Sequence, residues 1–411
     1  MAASTALPPA TRGCICATAR RAARSAAATI PRTSTLAFTP APPAIPSFEV
    51  GSRARTGRGV THTRPAERWT LLGDEVVDVA VVGGGPAGSA AAIEAARLGA
   101  SVTLFERSGT DRPKPCGDAL TQGALDELEA LGLSVEKLIS LGGAAFESVS
   151  LQSGGEQLYA TSSAQGGYGW VVPRSHLDQA LRDLAAAAGA TVSYHAAVRN
   201  IEVEDAAWSL DVRAGSSRHR ARAQTVVLAH GAASKLSTEH DVSGNPGWSM
   251  STTWYEPGDH DQLIVDVDES FHPGYAWSFP TGKGMANRGI CALDRASSSH
   301  LRELAASWMN HRSQQRGGAA PVWSGSGIRW HDERGLLACG DAAGLVDPVT
   351  SEGIRQALES GRRAGRAVAR WVRDGSEDEL QSYSDWVLTT YRQRFQSTPE
   401  RVMFQMLFGL L

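Results

Sequence analysis

The stretch that most limits what this chain can become is residues 76–107, VVDVAVVGGGPAGSAAAIEAARLGASVTLFER. Val77, Val79 and Val81 alternate with Asp78, Ala80 and Val82 in a short apolar run, the pattern of a buried parallel strand. Gly83, Gly85 and Gly88 follow at G-x-G-x-x-G spacing, and Pro86 opens a helix that runs through Ser89–Leu98. In such a unit the first glycine permits a tight turn, the second lets backbone approach a pyrophosphate, and the third lets helix and strand pack closely. Unpaired N–H groups of the helix then face the phosphates. A second apolar strand, Ser101–Phe105, ends in Glu106, 21 residues after Gly85 and near the spacing at which a carboxylate meets an adenosine ribose. A glycine-rich turn alone is common. With both strands, the helix and the acid in register, the segment predicts dinucleotide binding, FAD and NAD(P) being equally open at this point.

A chain of 411 residues has room for two or three domains. Its net charge of −3 argues against a nucleic-acid partner held by bulk electrostatics and favours a small-molecule or lipid substrate. The five cysteines, Cys14, Cys16, Cys116, Cys291 and Cys339, show neither a paired disulfide framework nor metal-ligand spacing, so no metal site is expected. Residues 1–71 read as an extension: rich in Ala, Ser, Thr, Pro and Arg, without lysine, and with Glu49 as the first acid. That composition cannot build a core and matches an organelle transit peptide, which would place the protein in a plastid. Upstream sequence from a GC-rich gene with a misassigned start has the same composition and would leave the protein cytoplasmic. No uninterrupted apolar run approaches the ~18–20 residues that span a bilayer. The apolar Val402–Leu411 is expected to pack as a terminal helix, with peripheral membrane contact or a chain cut short as the alternatives.

After Glu106, the loop Ser108–Gly117 carries Cys116 between Pro115 and Gly117, which excludes it from a regular helix. It leads to a Leu-spaced helix over Leu120–Leu131. Short strands fill 144–172, and a helix from Pro173 carries Leu177, Leu181 and Leu184 on one face, with Ser175 as N-cap and Asp178 in the capping-box position. Val198–Val203 and Trp208–Val212 read as a hairpin, and Thr225–Ala229 as a buried strand ending at His230-Gly231. Between Trp248 and Leu293 no helical period survives; alternating segments predict an antiparallel sheet, with Tyr275, Trp277 and Phe279 on one face. Such a stripe suits plain core or the wall of an apolar substrate cavity. A helix around His300–Met309 precedes the strand Gly335–Cys339. That strand delivers Gly340-Asp341-Ala342-Ala343-Gly344, and a long helix is expected from near Thr350. A carboxylate at a strand end suits ribityl hydroxyls, and a helix N-terminus suits a flavin edge that becomes negative on reduction.

These pieces resemble the geranylgeranyl reductase family of FAD-dependent oxidoreductases, within the larger p-hydroxybenzoate hydroxylase-like group. The resemblance covers most of 75–375 and is carried by KPCGDAL at Lys114–Leu120, by GDAAGLVDPVTSEGI at Gly340–Ile354, and by Tyr275-x-Trp277-x-Phe279-Pro280 followed by Gly289-x-Cys291. It implies an α/β fold: a Rossmann-type FAD-binding domain in three parts (72–143, 173–244, 326–374), an antiparallel-sheet substrate domain (144–172, 245–325) and a C-terminal helical segment (375–411). It implies FAD held by Gly83, Gly85, Ala87 and Gly88, by Glu106 and Arg107, by Cys116, Gly117 and Arg174, and by Gly340, Asp341, Pro348, Gly353 and Ile354. Tyr275, Trp277, Phe279, Pro280, Gly289 and Cys291 would line the substrate cavity, and Cys116 would stand next to the reacting bond as proton source or positioning group. Cys291 departs from the Gly or Ala usual in that family, and His230 from the usual Asp or Thr.

The activity implied is reduction of isolated prenyl double bonds by hydride from reduced flavin, with NADPH as electron donor binding without a Rossmann domain of its own. That activity predicts a long, apolar cavity free of convergent polar groups. A monooxygenase or halogenase on the same fold is the alternative, since fold does not settle function. The tryptophan-halogenase pattern W-x-W-x-I-P is not the Y-x-W-x-F-P found here.

Overall fold

The computed structural model describes residues 69–396, apart from 112–113, 163–168, 235, 241, 243–246, 272–273, 294–300, 302, 306–315 and 326–329. The N-terminal extension up to residue 68 and the apolar Val402–Leu411 lie outside the described residues, as does most of the helix expected around His300–Met309.

The valine run forms the middle of a seven-stranded sheet. Its order is Thr191–Ser193, Val102–Phe105, Trp69–Val82, Ser217–Leu228, Ala207–Ala214, Ala196–Glu204, with Leu336–Ala338 also pairing to Ser217–Leu228. The central pairs are parallel, and the last two strands fold back as an antiparallel hairpin edge. Parallel strands need helices on both faces, which is why Val79, Val81, Leu104, Val226 and Val227 are all buried. The glycine-loop helix, Pro86–Arg97, packs against the long helix Ile354–Asp374 at backbone contact. A Cβ at Gly361 would lie 2.1 Å from the Ala87 carbonyl oxygen, and one at Gly365 2.2 Å from that of Ala91. Two small-residue faces are therefore required for this crossing.

A second seven-stranded sheet runs Arg316–Val322, Gly247–Pro257, Met285–Ala292, Gly274–Gly282, Gln262–Asp266, Ser148–Ser153, Glu156–Ser162. All its pairs are antiparallel except that of Gln262–Asp266 with Ser148–Ser153. A three-stranded sheet, Ala119–Thr121, Gly169–Val171 and Ala144–Phe146, lies beside it. The C-terminal helix Glu377–Phe395 docks on the nucleotide-binding part, where Tyr383 donates to the Ala338 carbonyl at 2.7 Å. The architecture is the one expected: an α/β nucleotide-type domain, an antiparallel-sheet domain and a helical C-terminal segment.

Two local expectations fail. The helix Arg174–Ala187 is capped by Pro173, not Ser175, and Asp178 takes no part in a capping box. Both residues sit inside the helix, and Asp178 instead accepts two hydrogen bonds from the buried Arg174 at 3.0 and 3.1 Å, an i,i+4 pair in which neither charge is left buried alone. The long helix begins at Ile354, not near Thr350. The Asp347 carboxylate accepts the backbone N–H groups of Val349 and Thr350, and Ser351 sits at φ +55°, so residues 347–352 are held as a turn.

Candidate cofactor and substrate site

The glycine loop is built by close approach. Gly83 has φ +111°, and a Cβ there would lie 2.4 Å from the Ala229 carbonyl oxygen; one at Gly88 would lie 1.8 Å from that of Gly83. Gly85 is the helix N-cap and supplies no side chain, so the first helical N–H groups stay open to a ligand. Glu106 is buried and accepts from the N–H of Gly84 at 2.9 Å and of Ser108 at 2.8 Å. The carboxylate therefore holds the loop in shape at the edge of the groove. Arg182, not singled out in the sequence, clamps the same loop: it is fully buried and donates to the carbonyls of Gly84 and Thr110, each at 2.9 Å.

Beyond this loop lies a cavity of about 90 Å³ lined by Gly83, Glu106, Arg107, Arg199, His230 and Ser234. His230 Nδ1 is 2.8 Å from the Gly231 carbonyl, which requires the proton on Nδ1 and leaves Nε2 an acceptor. Nε2 is buried without a partner among the described residues. Burial pulls the His230 pKa below its ordinary value, with Arg107 acting the same way and the Gly231 carbonyl and Asp341 opposing. The ring is neutral near pH 7, and its open acceptor suits a ligand hydroxyl.

At the other end of the groove, Gly340–Ala343 forms a single 3-10 turn after the strand Leu336–Ala338. Asp341 is paired to Lys114 at 2.7 Å, which ties the GDAAG turn to the Cys116 loop. Gly353 caps the long helix with no side-chain bond, so the positive end of a 21-residue helix is exposed to the groove. Two cavities of about 140 Å³ each meet here and share Cys116, Gly117, Tyr275, Phe279, Gly353 and Ile354. One also reaches Lys114, Arg174, Trp277, Cys291 and Asp341. The other reaches Asp118, Thr121 and Glu352.

The wall of these cavities is the aromatic stripe. Tyr275, Trp277 and Phe279 follow one another at ring-centroid distances of 6.1 Å. Gly289 lies opposite Trp277 on the neighbouring strand, and a Cβ there would be 2.1 Å from the indole, so only glycine lets that ring lie flat. Gly117 is pressed on Phe279 in the same manner, at 2.7 Å. Tyr275 donates a short hydrogen bond to the Thr350 carbonyl, linking the stripe to the turn before the long helix.

Asn287 joins wall to loop and had no signal in the sequence. It is fully buried; its Nδ2 donates to the Cys116 carbonyl at 2.8 Å and to Asp118 Oδ2 at 2.9 Å, while Oδ1 accepts from Trp277 Nε1 at 3.1 Å and Thr253 Oγ1 at 2.8 Å. Asp118 also accepts a short bond from Tyr255. Burial pushes Asp118 to about 6 even though these donors pull it down. Burial raises the Cys116 thiol as well, against the nearby Arg174, and its sulfur accepts the Asp118 N–H at 3.3 Å. Cys291, opposite Tyr275, is pushed up to about 12 by burial. Both thiols are protonated at neutral pH.

Of the residues expected at the site, Gly83, Glu106 and Arg107 line the first cavity, and Cys116, Gly117, Arg174, Asp341, Gly353, Ile354, Tyr275, Trp277, Phe279 and Cys291 line the others. Gly85, Ala87, Gly88 and Gly340 shape the backbone between them, the Ala87 Cβ standing where a Cβ on Gly340 would be 2.8 Å away. Gly289 acts from beneath Trp277, and Pro280 and Pro348 line none of these three cavities. Among the described residues no cluster of His, Cys, Asp and Glu has metal-binding geometry, and no helix is long and apolar enough to cross a membrane.

Comparison with known proteins adds three findings. Residues 76–397 match the family model described as FAD binding domain. The chain is 31% identical over 319 residues to a menaquinone reductase of Mycolicibacterium smegmatis, covering 71% of this chain and 76% of that protein. It is 29% identical to a digeranylgeranylglycerophospholipid reductase of Methanocaldococcus jannaschii, covering 75% and 82%. Its fold is also that of a geranylgeranyl bacteriochlorophyll reductase-like protein from Thermoplasma acidophilum, with a TM-score of 0.67 at 23% identity over 82% of this chain and 91% of the other.

The groove fits FAD. Its glycine cradle and open helix N-terminus suit the pyrophosphate, Glu106 and the unpartnered His230 Nε2 suit sugar hydroxyls, and the N-terminus at Gly353 suits the flavin's pyrimidine edge.

Proposed function

Because the chain belongs to the FAD binding domain family of oxidoreductases, we propose that it saturates isolated C=C bonds of a prenyl, geranylgeranyl-type chain, with NADPH as the electron donor. The observation that carries this reading is the continuous stripe of Tyr275, Trp277 and Phe279 closing on the Cys116 loop directly beside the N-terminus of the long helix. Bound FAD supplies the hydride. The protein's part is to hold the chain against the aromatic faces, exclude water from the reacting bond, and stabilise negative charge at the Gly353 end. Cys116, protonated and lining both cavities, stands next to the reacting bond as proton source or positioning group. The Lys114–Asp341 pair holds that loop to the cofactor side. The relatives' names support a prenylated lipid as substrate. Placement in a plastid through the extension over residues 1–71, and membrane contact through the C-terminus, belong to the same reading.

One observation favours the second reading, an oxygen-using monooxygenase or halogenase. The two cavities are compact, and Asp118, Thr121 and Glu352 face one of them, whereas a prenyl site was expected to be long and free of polar groups. The test is anaerobic: reduce the flavin of the full chain with dithionite, add geranylgeranyl diphosphate and related prenyl lipids, and follow flavin absorbance. Reoxidation without oxygen, with a hydrogenated product by mass spectrometry, establishes alkene reduction. Reoxidation by no prenyl lipid until air enters rejects it. Unchanged prenyl turnover in Cys116→Ala removes Cys116 from the reacting groups.

A further inference from the structure

Saturating a C=C bond needs a hydride at one carbon and a proton at the other, and the compact cavity holds one acid placed for the second. Glu352 lines that cavity together with Cys116, Tyr275, Phe279 and Ile354. Thr121 fixes its orientation. The Thr121 oxygen caps the following helix by accepting the Ala124 N–H at 3.4 Å, so its hydroxyl hydrogen points to Glu352 Oε1 at 2.9 Å. A proton on this carboxyl therefore sits on Oε2, which has no hydrogen-bond partner among the described residues. Asp118, the neighbouring carboxylate, is committed differently: its Oδ2 takes both Tyr255 and Asn287 and holds the loop to the wall.

We propose that Glu352 is the acid that delivers the proton to the prenyl double bond, with Cys116 as the wall beside it. The inference rests on the prenyl-reduction reading. In the step, the hydride of reduced FAD forms one C–H bond, the Glu352 O–H breaks to form the other, FAD is left oxidised, and the carboxylate regains its proton from solvent. Burial raises the Glu352 pKa; Asp347 adds to this, while Thr121, Arg355 and Arg394 oppose it, and Arg394 is already paired to Glu359 at 2.7 Å. The groups facing it across the cavity are Asp118, Cys116 and Tyr275. A carboxyl raised from its usual range moves towards the working pH and stays a competent acid. A thiol raised from its own range moves away.

The test uses Glu352→Gln in the full FAD-loaded chain, since Gln keeps the shape and the acceptor for Thr121. Infrared pH-difference spectra, taken without substrate, should show in wild type a protonated carboxyl titrating above the usual carboxylate range that is missing from E352Q. Anaerobic single turnover with a prenyl substrate should slow by about 10²–10⁴-fold in E352Q, with FAD content unchanged. The wild-type fall in rate with rising pH should vanish, and Glu352→Asp should recover part of the rate. Wild-type turnover and pH profile in E352Q would overturn the assignment and leave prenyl reduction standing. If wild type itself saturates no prenyl chain, both fall together.

Discussion

Asn287→Leu should loosen the joint between the aromatic wall and the Cys116 loop. Asn287 makes four hydrogen bonds in a site with no solvent exposure. Leucine keeps the branched outline of four side-chain heavy atoms and makes none. Thr253 keeps a partner, because its hydroxyl also reaches the Arg288 carbonyl at 2.9 Å, and Asp118 keeps Tyr255. Trp277 Nε1–H is left buried and unpaired, and the Cys116 carbonyl keeps only the long contact from Thr253 at 3.4 Å. An orphaned buried group costs about 1–3 kcal/mol, so two such groups come to roughly 2–6 kcal/mol, with the weakened carboxylate adding to it. The assay is urea unfolding of the FAD-loaded chain, followed by flavin fluorescence, which reports release of the cofactor, and by tryptophan fluorescence. A lower midpoint at an unchanged slope is expected, with flavin lost first. A variant within about 0.5 kcal/mol of wild type, with flavin retained, would refute the idea that this network joins the two domains.

Gly289→Ala places a carbon 2.1 Å from the Trp277 indole and 2.6 Å from the Thr252 carbonyl oxygen, so it should destabilise by about 1–3 kcal/mol; a near-UV circular dichroism spectrum identical to wild type would show that Trp277 does not move. His230→Ala removes the open acceptor at Nε2 and should weaken FAD binding about 5–10-fold, the worth of one hydrogen bond, in a fluorescence titration, with Asn or Asp recovering part of it. Asp118 carries a folded-state pKa of about 6, above its unfolded value, so the folded chain holds that proton more tightly. Its contribution to stability is full below the unfolded value and is lost as pH rises through about 6, by up to about 3 kcal/mol. Asp118→Asn cannot ionise, so its stability relative to wild type should be better at pH 8 than at pH 4; the opposite sign in urea midpoints would reject burial as the cause.

Much of the site was legible because its signals are local. A glycine at φ +111°, an aromatic residue at every second position and a Gly-Asp at a strand end each report a backbone requirement within a few residues. The errors arose where a local rule met a distant competitor. Ser175 and Asp178 have capping-box spacing, yet Arg174 on the same buried helix face captures Asp178. The local reading is a helix start near Thr350, yet Asp347 binds the N–H groups of Val349 and Thr350 and the helix begins one turn later, at Ile354.

Sequence alone determined the nucleotide fold, because the β-α-β unit with its glycines has a single way to pack its backbone. It also determined the aromatic stripe, because strand periodicity sends Tyr275, Trp277 and Phe279 to one side whatever faces them. Only the tertiary structure decided what meets that wall. Asn287 and Glu352 are ordinary polar residues in their own segments. They acquire roles because Cys116, 171 positions before Asn287, and Thr121, 231 before Glu352, are brought within hydrogen-bonding distance of them. Desolvation then raises the cavity carboxyls, and no pattern along the chain encodes it, since burial is a property of the whole packed surface.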